Sequence, residues 1–358
     1  MLVLFISAYL NRNSDLFLTD AVIAIKSKHN SGLHISKSSS DMRDLLMLLA
    51  DGEFYSGSDL GRQLGVSRAA VWKRIQRLTQ ELGVSVQSVP GKGYRLAQPL
   101  QLLRGDVIQQ AFPALPVYVY ESIGSTNDQA KSLLATANSP MVVLAEHQTE
   151  GRGRRGREWV SPFAQNLCLS YVWPVTEGLS QVDGLSLVVG LAVLRAITRI
   201  SNIEVQLKWP NDVLVGGRKI AGILLELVGD TREVCHVIIG IGVNLNMQES
   251  FGGIDQEWTS LAKETGASID RELFAQAVIQ ELDGYLEKQR AYGFKIRRAE
   301  GLAEHAWQGR KVFLQIGKDS VSGEIVGVGE KGEVCLLVDG EQRQYLGGEL
   351  SLRLQNDT

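Results

Sequence analysis

Apolar positions change their spacing along the chain, and each change predicts a different kind of element. Residues 1–40 pass from an apolar stretch, Met1 to Leu10, into Ser/Lys/Asn-rich sequence ending at Ser38-Ser39-Ser40, with no sustained period, which reads as a disordered extension. From Asp41 the pattern becomes helical, with Leu45, Leu46, Leu48 and Leu49 on one face and Asp51-Gly52 as a stop signal. Ser56-Gly57-Ser58-Asp59 opens a second short helix through Leu60 and Leu64, which Gly65 ends as a left-handed cap. A third helix follows Ser67, with Val71, Ile75 and Leu78 on one side and cations on the other. Val84 to Val89, a Pro90-Gly91-Lys92-Gly93 turn and Tyr94 to Leu96 then predict a hairpin with a basic tip. Two short helices across a tight turn, the second cationic, followed by a wing, form a winged helix-turn-helix over residues 41–99. Pro99 and Gln101 to Leu103 read as a linker.

Residues 104–303 alternate strands with helices. Val117 to Tyr120, Met141 to Leu144, Asn166 to Trp173, Glu204 to Trp209 and Val234 to Asn244 have strand character. Leu185 to Ile200 and Glu272 to Arg290 have helical periodicity, and Gly216-Gly217 is a hairpin turn between Val213 to Val215 and Lys219 to Leu227. A mixed α+β domain with helices on one face of a sheet is expected. Residues 304–358 turn to short strands, Lys311 to Ile316, Ser320 to Gly327, Glu333 to Val338, Gln342 to Leu346 and Leu350 to Leu354, which suits a small SH3-like barrel.

Composition narrows the class. At 358 residues the chain is long enough for several domains, and 44% hydrophobic with 22% charged residues is ordinary for a globular protein. No apolar run approaches the roughly 20 residues of a membrane span. Net charge is -3, so any affinity for nucleic acid must come from a local patch. Arg68, Lys73, Arg74, Arg77 and Lys92, with Ser67 as the cap, are the candidates for DNA contact; a basic face that is merely solvated is the alternative. Cys168, Cys235 and Cys335 are isolated and odd in number, against a disulfide framework or zinc ribbon and for a reducing cytoplasm. None of the five histidines has metal-ligand spacing with another His or Cys. Met1 to Leu10 lacks the flanks of a signal peptide, and a translation start near Met42 is expected instead.

Candidate chemistry concentrates in three segments. Gly151, Gly153 and Gly156 satisfy the dinucleotide-binding GxGxxG spacing, but Arg152, Arg154, Arg155 and Arg157 interleave with them, and Trp159-Val160-Ser161-Pro162 is no helix start. Neither Gly91-Lys92 nor Gly317-Lys318 continues into a Walker A motif. What this segment offers is a bendable loop whose guanidiniums can fork onto phosphate oxygens, as an adenylate requires. Lys208-Trp209-Pro210-Asn211-Asp212 sits at a strand end, a common place for working side chains; alone it also reads as a turn held by Pro210 and an Asx contact. Ser125-Thr126-Asn127-Asp128 fits a capping box from Ser125 and Asp128 for a helix through Leu134, with hydroxyls that can also face a small polar ring.

Together with Lys219-Ile220-Ala221-Gly222-Ile223-Leu224, these motifs resemble bacterial biotin protein ligases, and the resemblance spans essentially everything after residue 40. Ser67-Arg68-Ala69-Ala70 and Pro90-Gly91-Lys92-Gly93-Tyr94 make it similar to the bifunctional form that doubles as a biotin operon repressor. The resemblance implies that biotin carboxylate attacks the α-phosphate of Mg-ATP, and that biotinyl-5′-AMP then acylates a lysine of the biotin carboxyl carrier protein of acetyl-CoA carboxylase. It implies biotin contacts from Ser125, Thr126, Asn127, Gln148, Arg152, Gly153, Arg154, Lys208 and Gly222, and nucleotide contacts from Gly151, Arg154, Arg157, Trp159, Lys208 and Asn211. Lys208, Arg154 and Arg152 would carry the catalysis. Operator DNA, a homodimer formed on adenylate binding, a cytoplasmic location and no resident metal are further expectations. Lipoate ligases are similar in fold, but their Arg-Arg-x-Ser-Gly-Gly segment is missing here. Two narrower readings remain open, a biotin-sensing regulator without ligase activity and a ligase whose winged helix does not regulate.

Overall fold

The computed structural model describes residues 37–137, 139–229, 235–249, 252, 254, 256–347 and 350–354. Of the expected extension, residues 1–36 lie outside these residues; within them, helix α1 (Lys37–Leu49) already takes in Ser38 to Ser40. Helix α2 (Gly57–Leu64) begins at Ser56, whose Oγ accepts from Asp59 N at 3.0 Å, and ends at Gly65 with φ 65°. Helix α3 (Arg68–Leu82) begins at Ser67, whose Oγ accepts from Ala70 N at 3.2 Å. Strands β1 (Val86–Val89) and β2 (Gly93–Leu96) form the antiparallel wing. Leu45, Leu46, Leu49, Leu60, Val71, Ile75 and Leu78 close the core of this part.

The chain continues through α4 (Gly105–Ala111), β3 (Val117–Ile123), α5 (Thr126–Ala137), β4 (Met141–Gln148), β5 (Leu167–Val175) and α6 (Leu185–Ser201). Next come β6 (Gln206–Lys208), β7 (Asp212–Val215), β8 (Arg218–Val228), β9 (Cys235–Val243), α7 (Leu261–Thr265), α8 (Arg271–Tyr292) and α9 (Arg298–Ala303). Seven strands make one sheet in the order β3-β4-β5-β9-β8-β7-β6, parallel only between β3 and β4. Helices cover both faces rather than the one expected. Val142 and Leu144 on β4 join the cluster under α6 and α8, whereas Met141 and Val143 meet Ala130 and Leu134 of α5 on the other side. A strand buried on both faces reads as a continuous apolar run, so alternation gave no warning of α5's position.

Strands β10 (Lys311–Ile316), β11 (Asp319–Val328), β12 (Val334–Val338), β13 (Glu341–Tyr345) and β14 (Leu350–Leu354) form an antiparallel sheet in the order β13-β12-β11-β10-β14, a meander whose last strand returns to pair with its first, as in SH3-like barrels. Its apolar residues merge with the core of the seven-stranded sheet. Among the described residues no helix is long and apolar enough to cross a membrane.

The core of the winged helix takes in residues from outside it. Leu102 of the linker and Phe163 and Ala164 from the β4–β5 connection are buried in the winged-helix cluster. Arg43 on α1 donates to the Leu103 carbonyl at 2.8 Å. Nearby, burial pushes the Glu121 carboxyl up to about 7, with Arg43 opposing and Glu146 and Glu81 reinforcing the shift. Between its ordinary 4.5 and about 7 the folded state binds more protons than the unfolded chain, so this group lowers stability as pH rises through that window. Glu121→Gln is therefore expected to raise Tm little at about pH 4, increasingly through the window, and by a constant amount above it; a pH-independent Tm difference would contradict the assignment.

Candidate active site

One cavity of 340 Å³ opens on the face of the large sheet where β4, β8 and β9 meet the loop after β4. Ser125, Thr126, Asn127, Gln148, Arg152, Gly153, Arg154, Arg157, Trp159, Lys208, Asn211 and Gly222 all line it. Three segments well separated in sequence are thus brought to one wall system.

The polar end is built from the start of α5. Gln148 Oε1 accepts from Thr126 N at 2.8 Å and from Thr126 Oγ1 at 3.0 Å, so the end of β4 caps the helix. The expected Ser125–Asp128 capping box gives way to this arrangement, because the Asp128 carboxylate is taken up by Arg152 in a two-pronged bond of 2.6 Å on each side. Ser170 Oγ on β5 donates within 2.8 Å of Thr126 Oγ1 and also bonds Asn127 Oδ1, while Asn127 Nδ2 donates to Glu226. Thr126 and Asn127 are 4% and 3% exposed, so their polar atoms face either these partners or a ligand. Gly240 makes room: a Cβ there would lie 2.6 Å from Asn127 Oδ1.

The arginine loop folds as a closed flap. Arg152 bridges Glu158 as a β pair, Gly153 N donates to Arg157 O at 2.7 Å, and Trp159 N donates to Gly151 O at 2.8 Å. A single 3-10 turn, Arg154–Gly156, forms its tip. Gly151, expected among nucleotide contacts, does not reach the cavity wall; it is buried under the flap, where a Cβ would meet the Trp159 carbonyl at 2.4 Å. Arg152, also on the cavity wall, is held by Asp128, which drives the Asp128 carboxyl below its usual range and the guanidinium above its own. Arg154 points inward, donating to Asn211 Oδ1 at 3.0 Å and to the Gly347 carbonyl. Burial lowers its pKa, with Asp212 opposing and Arg157 and Arg155 adding to the effect.

Trp159 lies flat across the floor. A Cβ on Gly242 would come within 2.3 Å of its ring, and one on Gly222 within 3.4 Å. Its Nε1 is buried without an acceptor among the described residues, a cost of about 1–3 kcal/mol that a bound acceptor would relieve.

The Lys208–Asp212 turn is fixed from several sides. Trp209 Nε1 donates to Gly332 O at 2.9 Å and Ser186 Oγ to Pro210 O at 2.8 Å, while Asn211 Nδ2 donates to Ile223 O at 2.9 Å. Lys208 Nζ stands 4.7 Å from the centre of the Trp307 ring, and burial lowers its pKa. Asp212 does not close an Asx turn but salt-bridges Lys219 Nζ at 2.8 Å, and Lys219 stands 5.6 Å from the Trp159 ring. Asp212 and Lys219 stood in the motifs singled out above without a role of their own, whereas Gly240 and Gly242 on the cavity wall, and Ser170 and Glu226 that hold Asn127, were passed over in the sequence. The available signal was alternating glycine in the apolar strand Ile239 to Val243, a mark of close approach.

Outside the cavity, the six DNA candidates lie on the winged helix. Ser67, Arg68, Lys73 and Lys92 are exposed, Arg74 and Arg77 half-buried, and Arg77 bonds Glu81 at 2.9 Å. Among the described residues no group of three or more His, Cys, Asp or Glu could hold a metal.

The family model of the biotin/lipoate A/B protein ligase family matches residues 119–244, and an HTH domain model matches 42–95. The bifunctional ligase/repressor BirA of Salmonella typhimurium is 40% identical over 310 residues, covering 86% of this chain and 96% of that protein. The BirA protein of Escherichia coli is likewise 40% identical over 320 residues, with the same coverage. Among solved structures, the biotin protein ligase of Aquifex aeolicus in complex with biotin and ATP is 31% identical, with a TM-score of 0.59 over 67% of this chain and 99% of that one.

Asp128 ties the flap to α5 through Arg152, with the Glu226 carboxylate farther off at 3.9 Å. Asp128→Ala is expected to speed tryptic cleavage within residues 152–157 several-fold in the unliganded protein, with global unfolding little changed. Equal cleavage rates in the two proteins would show that the ion pair does not hold the flap.

Proposed function

The chain belongs to the biotin/lipoate protein ligase family, in its bifunctional ligase/repressor branch, and on that premise we propose that it forms biotinyl-5′-AMP from biotin and ATP, transfers the biotinyl group to a lysine of biotin carboxyl carrier protein, and in its adenylate-bound form represses biotin synthesis genes. The observation that carries the ligase reading is one cavity with two chemically distinct ends. The buried hydroxyl and amide of Thr126 and Asn127, with the half-buried amide of Gln148, suit the ureido ring of biotin, and Arg154, Arg157, Lys208 and Lys219 converge where a carboxylate must meet a phosphate.

In the first step a biotin carboxylate oxygen attacks the α-phosphorus and pyrophosphate leaves. Both partners are anions, so repulsion must be cancelled before bonding begins, and fixed cations do this without any proton transfer. Lys208 is suited to it, because it is removed from water yet carries a neighbouring carboxylate, Asp212, that supports its charge. Magnesium arrives on ATP as part of the substrate. In the second step the carrier lysine's Nζ, as the neutral amine, attacks the acyl carbon, the acyl–oxygen bond to AMP breaks, AMP leaves, and the new amide nitrogen gives up one proton. Trp159 offers an aromatic face to the adenine, and the flap shields the anhydride from water.

The regulatory half of the proposal rests on the winged helix and on a homodimer formed on adenylate binding, which would present two α3 helices to a palindromic operator one helical turn apart. A cytoplasmic location accords with three buried, unpaired cysteines.

Incubation with biotin, ATP and carrier protein is the direct test: biotinylated carrier is expected, and its absence would leave only a sensing role. Lys208→Met is expected to slow pyrophosphate release by about 100-fold or more while shifting biotin Kd only a few-fold; a loss confined to biotin binding would remove Lys208 from the chemistry. Arg154→Gly unties the flap from Asn211 and Gly347, so the adenylate's retention half-life is expected to fall about tenfold or more. An unchanged half-life would take Arg154 out of the clamp.

A further inference from the structure

On α3, Ala69, Trp72, Lys73 and Gln76 are all exposed, and their i, i+3, i+4, i+7 spacing aligns them in one stripe opposite Val71, Ile75, Leu78 and Leu82. Trp72 is 51% exposed although the winged-helix core closes without it. The arginines that usually read guanine lie off this stripe. Arg77 is folded onto Glu81 at 2.9 and 3.2 Å, and the stem of Arg68 packs toward α2, where a Cβ on Gly57 would meet its Cγ at 3.2 Å. Arg74 is half-buried.

We propose that this stripe reads A·T base pairs in the major groove of duplex DNA, with the Trp72 indole seated on thymine methyl groups and Gln76 bonding an adenine edge; this rests on the DNA-binding reading above. A thymine's C5-methyl is the one apolar feature of the groove, and a flat exposed ring on the outer face of the helix matches it. A glutamine amide donates and accepts side by side, matching adenine N7 and N6 rather than the paired acceptors of guanine. Ala69, one turn before Trp72, leaves the space an approaching base edge needs. Charge favours the same partner: residues 42–96 carry eight Lys and Arg against five Asp and Glu, although the whole chain is net -3. Lys73 within the stripe, and Lys92 and Arg95 gathered 5.7 and 4.6 Å from the Phe54 ring, supply the flanking positive charge for phosphates.

The test begins with a pool of duplexes randomised over roughly two helical turns, selected with the full chain in the presence of biotin and ATP. Within the selected duplex, each thymine is then replaced by deoxyuridine, which removes only the methyl group. For the wild-type protein at least one such replacement is expected to weaken binding about fivefold. Trp72→Ala is expected to bind the thymine duplex about tenfold more weakly and to lose the thymine preference at that position, with Trp72→Phe retaining part of it. Trp72 is outside the core, so the variants' Tm should match the wild type, and a lowered affinity then reports contact rather than folding. If no duplex is selected, the DNA-binding reading falls and this proposal with it. If a duplex is selected but thymine and deoxyuridine bind alike, or the preference survives in Trp72→Ala, DNA binding stands and the Trp72 assignment is overturned.

Discussion

A single buried guanidinium organises the site. Arg271, at the start of α8, is 0% exposed and pairs with the equally buried Glu146 at 2.6 Å. Its remaining donors go to the Asn166 carbonyl at 2.9 and 3.2 Å and to the Gln101 carbonyl at 2.8 Å, while Glu146 Oε1 accepts from Leu103 N at 2.6 Å. Removing two charges from water costs several kcal/mol each, and such a pair is tolerated only when its polar atoms find partners, as all three nitrogens of this guanidinium and both oxygens of this carboxylate do. The geometry of its grip explains its importance. Glu146 lies just before the flap and Asn166 just after it, so both roots of the arginine flap are pinned to the same side chain. Gln101 and Leu103 belong to the linker from the winged helix, so that linker is fixed at the same point.

On this frame the cavity gathers cations that oppose one another. Arg154 and Lys208 both lose hydration on burial and both have pKa values pushed down, while Lys219 leans on Asp212. An unliganded site of this kind is electrostatically unfavourable, and an anion entering it relieves the repulsion it finds. The glycine floor has a complementary role: Gly240 and Gly242 allow Asn127 and Trp159 to lie against bare backbone. Arg154 also reaches the Gly347 carbonyl beside β13, which makes the C-terminal sheet part of the flap's latch rather than a remote appendage.

Much of this was legible in the sequence where a local signal exists. The caps at Ser56 and Ser67, the left-handed Gly65, the Gly216-Gly217 hairpin and the five C-terminal strands all follow from short-range stereochemistry. The arginine–glycine segment was conspicuous because ordinary surface sequence has no reason for that spacing, whereas Lys208 stood out only as a cation at a strand end. Long-range partners left no such trace. Asn127 and Glu226 are 99 positions apart and Arg154 and Gly347 193 apart, and nothing in either neighbourhood names the other. Lys219 and Asp212 meet only through the hairpin register that sets Asp212 opposite Gly222. Asp128 misled for a related reason: its position satisfies a capping rule, but a guanidinium brought over by the fold competes better for its carboxylate than a backbone N–H does.

The burial of Leu102, Phe163 and Ala164 in the winged-helix core makes the boundary between the two halves a shared possession. Phe163 stands four residues beyond Trp159, so the same short stretch of backbone has one aromatic ring on the floor of the cavity and another inside the first domain. A shortened chain lacking the winged helix would leave that second ring facing solvent at the base of the flap. In lineages where such an N-terminal module was gained or shed, compensating changes around this connection are the trace to look for, since neither half can be lifted away and leave the other's surface finished.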